Sequence, residues 1–241
     1  MIIQKVILVC NDNPLYYKFA KDVYDLWEKR IKIPPHIFIV SDKKLKIKFG
    51  HRLVQYIKPI PNIPTAFQSQ VIRLLLPCLY KDENVIITDI DMLPIQKKMF
   101  KKVIKHLNDD YFIQYFHYNQ ICYNCAKGSV WNEIFNVNSI KDIRPLIKLW
   151  FKEYKGAHTT DQQILTKYIN QYNKPKIILT SYLPSNTVIK RLSVYSKPDL
   201  VSTIKLEELH EYLDFHIHHI FNDSKNIKYY KKIIKYLLTN K

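Results

Sequence analysis

The segment Val85-Ile86-Ile87-Thr88 runs without a charge into Asp89-Ile90-Asp91-Met92-Leu93-Pro94, and no other stretch constrains the fold as much. A short continuous apolar run lacks the alternation of a half-exposed strand. It suits a strand covered on both faces, in a sheet with helices on either side. Ile2–Cys10 has the same character and stops at Asn11-Asp12-Asn13-Pro14.

The remaining pattern alternates accordingly. Pro14 opens a helical spacing of Leu15, Phe19, Val23, Leu26 and Trp27 that runs to about Arg30, with Asn13 as N-cap. His36–Val40 and Leu53–Ile57 read as strands. Thr65–Tyr80 reads as a helix that Pro77 ends or kinks. After Asn84–Thr88, a helix is expected at Ile95–Leu107, strands at Tyr111–Phe116 and Gln120–Ala126, and helices at Ser139–Tyr154 and Thr160–Tyr172. A strand at Lys176–Thr180 and a helix at Asn226–Leu238 complete the series. Strands alternating with helices predict an α/β sandwich around a mainly parallel sheet. Without an internal repeat or linker, residues 1–241 are expected to form one domain.

Hydrophobic residues make up 47% of the 241, enough for one well-buried core, and no apolar run is long enough to span a bilayer. The first residues meet a polar turn at once, so they read as a strand and not as a signal peptide; a cytoplasmic setting follows as the expectation. The four cysteines, Cys10, Cys78, Cys122 and Cys125, are too few for a disulfide framework. Cys122-x-x-Cys125 lacks the second pair that structural zinc needs and reads as strand residues. A net charge of +17, from 38 basic and 21 acidic residues, favours anionic partners without choosing among nucleic acid, acidic membrane and phosphate-bearing ligands.

Chemistry concentrates at Asp89 and Asp91. On an open α/β sheet, ligands sit beyond the carboxyl ends of the strands. Two carboxylates at i and i+2 past a strand end can reach one divalent cation, and hard Mg2+ or Mn2+ suits such oxygen donors while leaving positions for diphosphate oxygens. The bland alternative is a turn with two solvated aspartates. Glycine occurs only at 50, 128 and 156, which rules out the Gly-rich loops of P-loop and dinucleotide-binding proteins. His216, His218 and His219 offer a third metal ligand, and Lys225 lies within reach of a phosphate. Asp161, in His158-Thr-Thr-Asp-Gln-Gln163, has two readings: a first-turn residue favoured by the helix dipole, or a general base facing an acceptor hydroxyl.

Taken in order, these segments resemble the GT-A glycosyltransferases, specifically the glycogenin and lipopolysaccharide-galactosyltransferase type and the small DxD transferases of large DNA viruses. Ile7–Asp12 is similar to the family's first strand and nucleotide-binding turn, and Gln70–Pro77 to its RLxLP helix. Val85–Pro94 is similar to the DxD strand, Thr160–Leu165 to the DQxxLN segment, and His219–Lys225 to the terminal His-to-Lys spacing. The resemblance implies a Rossmann-like α/β/α sandwich. It also implies Mn2+ or Mg2+ held by Asp89, Asp91 and a C-terminal histidine against the diphosphate of a nucleotide sugar, UDP-linked in this type. Asn11, Asp12 and Arg73 would face the donor, and Tyr16 would stack on the base. The acceptor would be a hydroxyl on a glycan, protein or lipid. A virus-encoded origin accords with the viral members. The Gly and Pro-Trp of the terminal motif are absent, and Tyr123-Asn-Cys-Ala126 replaces the asparagine-glycine after the DxD region. The viral type carries Asp-x-His near its end, which would select His216; His219 keeps the spacing of the other type. Both remain candidates.

The alternative from another class is a basic nucleic-acid-processing metalloenzyme, a nuclease or nucleotidyltransferase. The lysines are spread along the chain without forming one arm, and no Gly-Ser turn precedes the aspartates, so no specific nucleic acid is expected. Ile227, Tyr230, Ile234 and Leu237 lie between lysines near the C-terminus. Docking on the domain is the expectation there, with peripheral membrane contact as the alternative.

Overall fold

A computed structural model describes residues 1–45, 54–116, 120–157, 159–183, 189–193, 204–217 and 224–240. Seven strands form the central sheet: β1 (Lys5–Asn11), β2 (Pro35–Val40), β3 (Val54–Ile57), β4 (Asn84–Asp89), β6 (Phe112–Gln114), β7 (Asn124–Lys127) and β8 (Lys176–Ile178), in the order β3-β2-β1-β4-β7-β6-β8. All neighbours are parallel except β7, which is antiparallel to both β4 and β6. A second, three-stranded sheet joins β5 (Met92–Pro94), β10 (Tyr212–His216) and β9 (Lys190–Ser193) in that order.

The continuous apolar runs have the predicted cause. Along β1, Val6, Leu8 and Cys10 enter one core while Ile7 and Val9 enter the other, and Ile86 parts from Val85 and Ile87 in the same way on β4. One face is covered by α3 (Thr65–Leu75), α5 (Gly128–Phe135), α6 (Ile140–Tyr154) and α7 (Thr160–Gln171). The other carries α1 (Pro14–Tyr17), α2 (Ala20–Asp25), α4 (Lys97–Lys101), α9 (Ser224–Thr239) and the small sheet; the short α8 (Leu179–Tyr182) follows β8. This is the α/β/α sandwich with a mainly parallel sheet that the sequence pattern predicts.

Several boundaries depart from expectation, each for a local reason. The helix from Pro14 is broken after Tyr17 and widens into a π turn at Leu26–Ile31, which buries Leu26, Trp27 and Ile31 and ends with Lys32 at φ 66°. Asn13 caps its start, Oδ1 accepting from Leu15 N at 3.0 Å. Pro77 turns the end of α3 into a 3-10 turn at Leu76–Leu79. The helix expected at Ile95–Leu107 shrinks to Lys97–Lys101 and a 3-10 turn at Ile104–His106. Gln96 is extended (φ −96°, ψ 95°), and its N–H and that of Ile95 are held by Leu213 O at 3.1 and 2.9 Å beside β10, so the helix starts only at Lys97. Tyr123 sits at φ 59°, which stops the strand expected over Gln120–Ala126 until Asn124.

The C-terminal helix docks on its own chain. Tyr230, Ile233, Ile234 and Leu237 are buried, and the Tyr230 hydroxyl donates to Asp22 Oδ2 at 2.5 Å. Arg30 Nη1 donates to Leu237 O and Asn240 O at 3.0 and 2.7 Å. Burying each large aliphatic side chain contributes roughly 1.5–3 kcal/mol, which favours docking decisively over exposure to solvent. Among the described residues, no helix is long and apolar enough to cross a membrane.

Candidate active site

A cavity of about 610 Å³ opens beyond the carboxyl ends of β1 and β4. Strand ends supply Asn11 and Asp89, and the turn after β4 supplies Asp91. His216 comes from the end of β10, Tyr16 from α1, and Asp161 with Gln162 from the first turn of α7. From α3 come Ala66, Ser69, Gln70 and Arg73, whose i, i+3, i+4, i+7 spacing is one helix face. The other face of α3 buries Phe67, Val71 and Leu74 among the helices above the sheet, so core packing aims Arg73 at the cavity.

Arg73 organises one side. Nη1 donates to Asp89 Oδ1 and Nη2 to Asp161 Oδ2. Burial alone would lower the guanidinium pKa, but the charges of Asp89 and Asp161 hold it above its ordinary value. Asp161 is nearly fully buried, and its second oxygen accepts from Gln162 N at 2.8 Å. Asp89 keeps 24% of its side chain exposed.

The other side is the pair of Asp91 and His216. His216 Nε2 lies 3.5 Å from Asp91 Oδ2, and Ile217 N donates to Asp91 O at 3.0 Å, so β10 is tied to the turn by backbone as well as side chain. Burial opposes a charge on His216, yet the hydrogen bond and charge of Asp91, with Asp89 behind it, hold its pKa above the ordinary value. Burial likewise raises the Tyr16 pKa, and Asp91 and Asp89 add to the effect.

Two carboxylates and an imidazole suit a hard divalent cation by donor type. Asp91 and His216 already face each other, whereas Asp89 is engaged by Arg73 through one oxygen. Among the described residues, no group of three or more His, Cys, Asp and Glu side chains stands assembled to hold an ion. The fit is therefore of two donors in place and a third with one oxygen left over.

The structure thus brings together Asn11, Tyr16, Arg73, Asp89, Asp91, Asp161 and His216. Asp12 is not among the lining residues; its Oδ2 lies 3.5 Å from the Ser41 hydroxyl at the end of β2. His158, His218 and His219 lie outside the described residues, as does the Lys225 side chain, although that residue belongs to the first turn of α9. Cys122 and Cys125 are buried free thiols. Sequence reasoning missed Ser69, Gln70, Ile121 and Gln162. Helical spacing back from Arg73 would have found the first two, and adjacency to Asp161 the last.

No protein-family model and no curated protein matches the sequence. Solved structures do match in fold. The galactosyltransferase LgtC, in complex with donor and acceptor sugar analogues, aligns with a TM-score of 0.52 at 12% identity, over 96% of this chain and 95% of its own. A glycosyltransferase involved in the glycosylation of the major capsid of PBCV-1 aligns with a TM-score of 0.50 at 9% identity, over 94% and 98%. The apo form of the glycosyltransferase GlyE of Streptococcus pneumoniae TIGR4 aligns with a TM-score of 0.50 at 14% identity; the match covers 98% of this chain but only 62% of GlyE. The fold is the GT-A α/β/α sandwich that these structures share.

Proposed function

We propose that the chain is a metal-dependent glycosyltransferase that moves a sugar from a nucleoside-diphosphate sugar, UDP-linked in the simplest reading, to a hydroxyl of a glycan, protein or lipid. One observation carries the proposal. Asp89, Asp91, His216, Arg73 and Asp161, drawn from four separate parts of the chain, converge on one cavity at the carboxyl edge of a GT-A sheet. The structures that share this fold bear glycosyltransferase names, which supports the same class of reaction here.

Asp91, His216 and the free oxygen of Asp89 would hold Mn2+ or Mg2+, which when bound supplies positive charge to the diphosphate. Asn11 and Tyr16 would bind the nucleoside end. Arg73 would orient Asp89 and Asp161 by its two nitrogens and present fixed positive charge where the leaving group becomes more anionic. Asp161 has both oxygens occupied, by Arg73 and by the Gln162 N–H. We therefore favour a structural, positioning role for Asp161 over the general base, with Gln162 beside it lining the cavity. The partial burial of these groups lowers the local dielectric and strengthens each interaction.

The test is a panel of nucleotide sugars incubated with the purified chain, with Mn2+ and with EDTA, followed by product stereochemistry on the best donor. Metal-dependent donor hydrolysis or transfer is expected. Cleavage or salt-dependent binding of DNA or RNA, with every donor left intact, would overturn the proposal in favour of nucleic-acid chemistry.

A further inference from the structure

The three strands of the small sheet meet at one partly buried cation, Arg191, whose side chain is 24% exposed. Arg191 on β9 donates from Nε to both oxygens of Asp214 on β10, at 3.0 and 3.1 Å, and its Nη2 lies 3.0 Å from Asp214 Oδ2. The same Nη2 lies 3.0 Å from Met92 Sδ on β5. On the opposite side Nη1 reaches Gln120 Oε1 and Cys122 Sγ at 3.3 and 3.5 Å, in the turn that leads into β7. The guanidinium also lies 4.7 Å from the Phe116 ring centroid. Asp214 has no exposed surface, and among its described neighbours Arg191 supplies the balancing charge.

The position of the pair matters more than its strength. β9 and β10 pair in parallel with Tyr212 opposite Lys190 but Phe215 opposite Leu192, so Leu213 and Asp214 together face the single residue Arg191. The ion pair therefore sits inside a bulge. Bulges re-aim the side chains that follow them, and a slip of one residue in so short a strand would turn His216 to the opposite face. Three to five residues per strand give the backbone ladder little power to choose a register by itself. A charged pair whose carboxylate is fully buried can supply that choice, because another register would take the Arg191 charge from Asp214 and leave it with the weaker support of Tyr123 and His216.

We propose that the Arg191–Asp214 pair is the register pin of the small sheet and, through it, the positioning element that holds His216 against Asp91. This rests on the reading above that Asp91 and His216 hold the cation. Arg191 acts through the strand; its charge also reaches His216, and R191K, which keeps that charge, separates the two effects.

Mn2+ binding measured by electron paramagnetic resonance, with MnCl2 alone and the full-length chain, tests it without reference to activity. The variants are R191K, which keeps the charge but loses the fork, and R191M/D214L, which removes both charges together and leaves neither stranded. Thermal unfolding reports on the fold of each. Both are expected to fold and to bind Mn2+ more weakly than wild type, by on the order of 10- to 100-fold. Wild-type Mn2+ affinity in either folded variant overturns the pin. Should R191M/D214L fail to fold, R191K decides alone by the same criterion. Wild-type protein and Asp91→Ala binding Mn2+ equally would overturn the cation reading itself, a result distinct from failure of the pin.

Discussion

Arg73 Nη2 donates to Oδ2 of Asp161, joining the last turns of α3 to the first turn of α7 across 88 residues of chain. Both partners are buried, so the pair cannot be loosened without leaving a charge uncompensated. Breaking such a pair from one side costs about 3–5 kcal/mol. If Asp161 positions, Asp161→Asn lowers transfer on the order of 10²-fold. A double-mutant cycle with Arg73→Lys would then show the two effects overlapping by about 1 kcal/mol or more. A loss near 10⁴-fold with donor affinity unchanged would instead make Asp161 the base.

Asp91 has its backbone and side chain both tied to β10, so Asp91→Ala is the sharper probe of the metal reading than Asp89. Loss of the charge stabilisation that a bound divalent ion provides predicts a fall of about 10³-fold in donor hydrolysis. Steady-state rates with and without EDTA check it; undiminished, EDTA-insensitive transfer by the variant would sink the reading.

Gly128 opens α5 where the chain passes under another turn. A Cβ there would lie 2.0 Å from Tyr80 O and 2.8 Å from Pro77 O, both backbone atoms that cannot swing aside. Gly128→Ala is expected to destabilise the fold by about 1–3 kcal/mol or more, read as a lower urea midpoint at unchanged slope.

Asp25 gives a pH prediction remote from the cavity. Burial raises its pKa, but hydrogen bonds from Lys21 and Lys29, at 2.5 and 2.9 Å, outweigh it and hold the carboxyl below the ordinary carboxylate value. A lowered native pKa contributes stability above the unfolded value, near 3.9, and that contribution fades as pH falls through the native one. The Tm gap between wild type and Asp25→Asn should therefore be open at neutral pH and close in strong acid. A gap that widens in acid would reverse the sign.

How far the sequence carries can be judged from particular residues. β1 and β4 were legible because a strand covered on both faces must be apolar throughout, and Arg73 and Asp161 because their neighbours form ordered motifs. α5 was not, since eight residues opening on Gly128 leave little helical periodicity. The helix expected from Ile95 starts late because the chain runs extended through Gln96, bonded to Leu213 far along the sequence. Nothing local to Arg191 or Asp214 marks them as partners; only the bulge between their strands brings them together. That His216 faces Asp91 follows from the register of β10, which the sequence does not encode; His218 and His219 lie outside the described residues.

The small sheet unites Met92 with strands that begin 98 and 120 positions later, and this has a consequence for synthesis on the ribosome. A nascent chain exposes its paired aspartates long before the strand bearing His216 has been translated. Until then the turn after β4 lacks its closing partner, and the hydrophobic underside of that region stays open to chaperones or to other nascent chains. A message truncated before codon 212 would yield a polypeptide with all seven strands of the central sheet but without the contact between Asp91 and His216.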